Sequence, residues 1–145
     1  IDPLLFDEDV NVSTLAKLIE RVEELNSPSV VKVVFDYKNF ALYFSRSPIP
    51  FVRDAVNDKE MLEKADIYKH IGLYVYRKEY LLKFTQLAPT DLEQWEKLEQ
   101  LRMLENGFKI KIVETEYDSF SVDTPEDLEK ARKIYSKLKK IELAK

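Results

Sequence analysis

Cysteine is absent from this 145-residue chain, and histidine occurs once, at His70. Without thiols there is no disulfide, no thiolate nucleophile and no Cys-ligated zinc. One imidazole cannot build a histidine cluster around a metal within a single chain. Glycine is nearly as scarce, with only Gly72 and Gly107. Loops that cradle phosphate need several glycines so that backbone amides can approach the anion, so a nucleotide loop is not expected among these residues. No apolar run approaches the ~20 residues that span a bilayer, and no secretory leader is visible. Nor does any basic run interleave with aromatics, as a phosphate-neutralising surface requires. The expectation is a cytoplasmic protein with neither a membrane nor a nucleic acid as partner.

What is present describes a globular domain. Hydrophobic residues make up 45% and charged residues 34%, enough apolar surface to bury one core in a single domain over 1–145. The net charge is −4. That does not exclude an anionic small molecule, because a few cations inside a cleft can hold one.

Strand and helix signals alternate along the chain. Val10 to Leu15 and Val30 to Phe35 are β-rich, and Ala41 to Phe44 returns after a polar turn at Asp36–Asn39. Lys17 to Leu25 has weak helical periodicity, closed by Asn26-Ser27-Pro28. Ser45-Arg46-Ser47-Pro48-Ile49-Pro50 cannot be regular, since its prolines remove donors and fix φ. Lys59–Ala65 and Lys78–Thr85 read as helices, and Ile71–Tyr76 as a strand. Thr90 with Glu93 forms a capping box for one helix carrying Leu92, Trp95, Leu98, Leu101 and Leu104, stopped by Asn106-Gly107. Phe108–Glu114 and Phe120–Val122 read as strands. Thr124 and Pro125 open a last helix to about Ile141. The pattern predicts an α/β fold with a mixed, mostly parallel sheet and flanking helices.

Several polar residues occupy positions suited to a site, and each has an ordinary alternative. Arg46 follows a strand and precedes a rigid turn, where a guanidinium can meet an anion or simply pack on Phe44. His70 and Tyr74 belong to a strand whose terminus could line a ligand crevice; a half-buried structural histidine is the alternative, and Tyr76 could equally be core. Glu99 and Gln100 offer fixed acceptors and donors to a polyol, or form the solvated face of a helix together with Glu93, Gln94 and Glu96. Asp123 precedes a helix cap and could project a carboxylate at the sheet edge, or merely turn the chain into Thr124.

Four stretches together, ALYFSRSPIPF (41–51), KHIGLYVYR (69–77), LEQWEKLEQLRMLENG (92–107) and VETEYDSFSVDTPEDLEKAR (113–132), resemble the CMP-Kdo synthetase family in order and spacing. The resemblance implies an incomplete sugar nucleotidyltransferase (Rossmann-like) fold. It also implies transfer of CMP from CTP to the anomeric hydroxyl of Kdo (3-deoxy-manno-octulosonate), with release of pyrophosphate, for lipopolysaccharide biosynthesis. By the same likeness Arg46, His70, Tyr74, Glu99 and Gln100 bind the sugar, and Asp123 is catalytic as a ligand of magnesium (Mg2+). The family's N-terminal pyrophosphorylase loop has no counterpart here, so the chain is expected to be the C-terminal larger part, inactive alone, with a dimerisation hairpin region over 10–52 and a homodimeric state. Two rival readings are another CMP-sugar synthetase, such as one for sialic acid, and a non-catalytic binding or dimerisation fragment.

Overall fold

The computed structural model describes residues 1–117 and 125–142. Five strands, β1 (Val12–Leu18), β2 (Lys32–Phe35), β3 (Ala41–Ser45), β4 (Tyr68–Tyr76) and β5 (Lys111–Glu114), form one sheet in the order β3-β2-β4-β1-β5. The helices are α1 (Asp2–Phe6), α2 (Val22–Asn26), α3 (Asp58–Lys64), α4 (Lys78–Phe84), α5 (Asp91–Glu96), α6 (Gln100–Glu105) and α7 (Pro125–Glu142). An α/β architecture with a mixed sheet is therefore present. The expected excess of parallel pairing is not: among the described residues only β1–β5 runs parallel, while β1–β4, β2–β3 and β2–β4 are antiparallel.

The path of the chain explains that correction. Residues 19–67, which include β2 and β3, leave β1 and return beside it at the same end, since Leu18 pairs with Tyr68 and the Ile19 amide donates to the Ile67 carbonyl at 2.8 Å. A strand that returns where its neighbour ended must run the other way. Residues 77–110 depart beside Val12, the partner of Tyr76, and β5 then starts at Lys111 opposite Ser13, so it runs with β1.

β1 also differs from its expected bounds. It continues through Lys17 to Leu18 and is buried over most of its length, because β4 and β5 flank it. Buried on both faces, it lacks the alternation that marks a half-exposed strand. The helix expected over 17–25 shrinks accordingly to α2.

The two edge strands approach each other at one end. Phe40, leading into β3, bridges Lys111 of β5; the Ala41 amide donates to Ile110 O at 2.9 Å and the Ile112 amide to Asn39 O at 2.7 Å. The curled sheet encloses the main core of Val12, Ala16, Val33, Phe44 and Ile112, capped by Leu98, Leu101 and Met103 from the helical segment. A smaller cluster of Ile19, Leu25 and Ile67 lies under α3 residues Met61 and Leu62.

Candidate functional site

The helix expected from Leu92 to Asn106 is two helices. α5 ends at Glu96, Lys97 takes the left-handed conformation (φ 55°, ψ 48°), and α6 begins at Gln100. The break has a visible cause. In an unbroken helix Glu96 O and Lys97 O would accept from amides four residues on. Here Arg46 takes both carbonyls, through Nε at 2.6 Å and through a terminal nitrogen at 3.3 Å. Leu101 turns its amide to Leu98 O at 3.1 Å instead. The expected stop is present: Gly107 has φ 77°, and the Phe108 and Gly107 amides reach back to Met103 O and Leu104 O, closing α6 as a Schellman motif.

Arg46 and Glu96 bind each other's segments reciprocally. The Glu96 carboxylate accepts from Ser45 Oγ at 2.7 Å and from the Arg46 amide at 2.9 Å. A third guanidinium nitrogen of Arg46 donates to Pro28 O at 2.7 Å. Beneath this junction lies Lys32, wholly buried, whose Nζ donates to Ser27 O, Val30 O and Arg46 O at 3.0, 2.7 and 2.6 Å. Three carbonyls saturate the three donors of an ammonium, which is how a buried lysine is tolerated, while burial lowers its pKa.

This corner presents Glu99 and Gln100 to a cleft of about 330 Å³, lined also by Tyr74, Tyr76, Phe84, Lys97, Leu98 and Met103. Three of the sequence-predicted residues, Tyr74, Glu99 and Gln100, thus come together. Tyr76, left open between core and site, joins them. The rings of Tyr74, Tyr76 and Phe84 form a ladder with centroids 5.7 and 6.5 Å apart. Burial raises the pKa of both tyrosines, and the charge of Glu99 adds to that shift. The Tyr74 hydroxyl is buried without a hydrogen-bonding partner. Its neighbour, the Thr14 hydroxyl, is already committed to Ile71 O and Leu73 O at 3.1 and 3.0 Å.

His70 stands next to this cleft, outside its lining, with its ring centroid 5.4 Å from that of Tyr74 and edge-on to Phe44 at 5.0 Å. Its Nε2 lies 2.9 Å from Thr14 Oγ1. Burial pushes the imidazole down to about 4, so it is neutral at pH 7. Between His70 and Tyr74 the register with β1 jumps from Leu15–Ile71 to Thr14–Tyr74. Gly72 and Leu73 fill this bulge, which re-aims Tyr74. Arg46 also lies outside the cleft lining, holding the corner that carries Glu99 and Gln100. Asp123, the expected magnesium ligand, is outside the described residues, as are the expected strand 120–122 and the cap Thr124. Among the described residues no group of three or more His, Cys, Asp or Glu could hold a metal.

Sequence reasoning placed Glu93 in the cap of α5 but missed its pairing with Arg102, and it missed the role of Glu96, since both were assigned to a solvated helix face. Glu93 is buried in a two-pronged pair with Arg102, one contact being Nε to Oε2 at 2.6 Å, and Arg102 holds its carboxyl below the usual range. Trp95, placed on the apolar stripe, is exposed. The available signal was the run Arg46–Pro50, which forces an irregular segment whose backbone groups need partners from elsewhere. A wider hollow of about 690 Å³ between Lys17, Glu20, Tyr68 and Glu114 gathers none of the predicted residues.

Comparison with known proteins follows the same lines. The 3-deoxy-manno-octulosonate cytidylyltransferase of Geotalea uraniireducens (strain Rf4) is 53% identical over 144 residues, covering 97% of this chain and 56% of the relative. Its counterpart from Thermodesulfovibrio yellowstonii is 52% identical over 130 residues, covering 90% and 51%. Among solved structures, CMP:2-keto-3-deoxy-manno-octonic acid synthetase complexed with CTP matches with a TM-score of 0.83 at 40% identity, over 94% of this chain and 53% of that one. The chain spans about half the length of these relatives. A sequence model described as cytidylyltransferase matches residues 4–112, most of the chain, and the chain therefore belongs to the cytidylyltransferase family.

Proposed function

We propose that this chain carries the sugar-binding side of an enzyme that transfers CMP from CTP to the anomeric hydroxyl of Kdo. The observation that carries the reading is the cleft that Tyr74, Tyr76, Glu99 and Gln100 line together. The carboxylate of Glu99 and the amide of Gln100 supply acceptors and donors for ligand hydroxyls, and the tyrosine ladder offers an apolar wall to the sugar's carbon skeleton. The names of the relatives and the CTP complex of the structural neighbour support the same substrates. His70 serves this site as a neutral support for Tyr74, and Arg46 as the holder of the α5–α6 corner. Magnesium at Asp123 remains a proposal resting on the resemblance.

Kdo titrated into the isotope-labelled chain tests the reading. Shifts are expected at Tyr74, Tyr76, Glu99 and Gln100. Glu99→Ala removes a carboxylate from the cleft and is expected to weaken binding about 5- to 10-fold, the equivalent of one hydrogen bond at roughly 1–1.4 kcal/mol. Kdo affinity unchanged in Glu99→Ala would count against this cleft as the sugar site.

The homodimer is proposed on different support. Within 10–52, Tyr37, Leu42 and Phe51 are large apolar side chains exposed to solvent, and removing such surface from water between two copies is favourable. Sedimentation velocity is expected to give a dimer at micromolar concentration; a strict monomer would count against the hairpin region as an interface.

A further inference from the structure

We propose that Glu96 is a positioning residue for the sugar site, acting through the Arg46 junction without touching the ligand. This rests on the sugar-binding reading above and adds to it the device that shapes the cleft. Glu96 is the last residue of α5, at the point where a helix would otherwise run on. Its carboxylate ties Ser45 and the Arg46 amide at 2.7 and 2.9 Å. Its own carbonyl is tied back by Arg46 Nε at 2.6 Å. Side chain and main chain of one residue are thus locked to the same neighbour.

The lock has a direct geometric effect. With Glu96 O and Lys97 O engaged by Arg46, Lys97 turns left-handed and the chain restarts as α6 in a new direction. In a continuous helix Glu96, Glu99 and Gln100 would share one face, since residues three and four apart are neighbours. The break separates them: Glu96 faces β3, while Glu99 and Gln100 enter the cleft with Tyr74. A left-handed residue other than glycine is unfavourable in itself, so the corner needs an external tie, and the Glu96–Arg46 pair supplies it. Glu96→Ala removes the carboxylate from Ser45 and the Arg46 amide. Glu96→Gln retains one acceptor oxygen for the amide and an amide group that Ser45 Oγ can accept from.

Kdo binding by the 145-residue chain, its Glu96→Ala and its Glu96→Gln forms decides the matter, read by nuclear magnetic resonance titration. Glu96→Ala is expected to bind about tenfold more weakly, as for the loss of one charge-assisted contact, with Glu96→Gln recovering most of the affinity. In the sugar-free Ala variant the amide signals of 97–100 should move while those of β1 and β5 stay. A parent chain that binds Kdo alongside an equally tight Glu96→Ala overturns the positioning role. Signals displaced throughout β1 and β5 also overturn it, since they mark a general structural role. A parent chain that binds no Kdo overturns the sugar-site reading, and the positioning role with it.

Discussion

Phe44→Ala is expected to lower the stability of the chain by about 3–5 kcal/mol, the cost of deleting a large aromatic side chain from a packed core. Phe44 is fully buried on β3 among Val33, Leu98, Leu101 and Met103, so it joins the curled sheet to the helical segment above it. No nearby side chain is placed to fill the void cheaply, because native interiors are close-packed. Against a typical total of roughly 5–15 kcal/mol, this loss would leave a substantial unfolded fraction at moderate temperature. Urea denaturation followed by circular dichroism measures it. The midpoint should fall with little change in slope, and a loss below about 1 kcal/mol would mean that Phe44 is not the central packing residue.

Acid should destabilise the fold through His70 well before the carboxylates titrate. The unfolded chain takes up this proton near pH 6.5 and the folded chain near 4. Between those values the unfolded state binds more protons, so stability falls as pH falls. The contribution is fully present above about pH 7 and is lost progressively toward pH 4, about 3 kcal/mol in all. Denaturation at pH 7, 5.5 and 4.5, compared between the parent chain and His70→Gln, isolates it: the variant should show a flatter profile over this window. Glu93, held low by Arg102, makes both proteins lose stability at still lower pH. Parallel profiles for the two proteins would mean that His70 is not kept neutral by the fold.

Much of the molecule could be read in advance where a local signal had one physical meaning. Asn106-Gly107 marked a helix stop because only a residue tolerant of positive φ closes a Schellman turn, and Gly107 does so. Glu93 was correctly placed in the cap of α5, where its carboxylate accepts from the Thr90 amide at 3.2 Å. Tyr74, Glu99 and Gln100 were anticipated from motif resemblance and are brought together in space. What stayed hidden was decided by contacts distant in sequence. Nothing in 92–107 announces a break at Lys97, because its cause is Arg46, some fifty positions earlier. The direction of β4 depended likewise on where residues 19–67 brought the chain back beside β1, and local propensity does not encode that return. Lys32 looked like an ordinary polar position in a strand until three carbonyls converged on it.

The seam between Phe40 and Lys111 bears on how quickly this fold can be reached. Residues far apart along the chain must meet before either edge of the sheet is satisfied, and closing so long a loop costs entropy before any contact rewards it. Folds dominated by such distant pairings form in milliseconds to seconds, in contrast to the microseconds of helical bundles. Until the seam forms, the amides of Ala41 and Ile112 lack the carbonyls they hold in the finished fold. Newly made chain therefore passes through a stage in which two sheet edges are open at once, and that interval is when wrong partners compete most effectively for them.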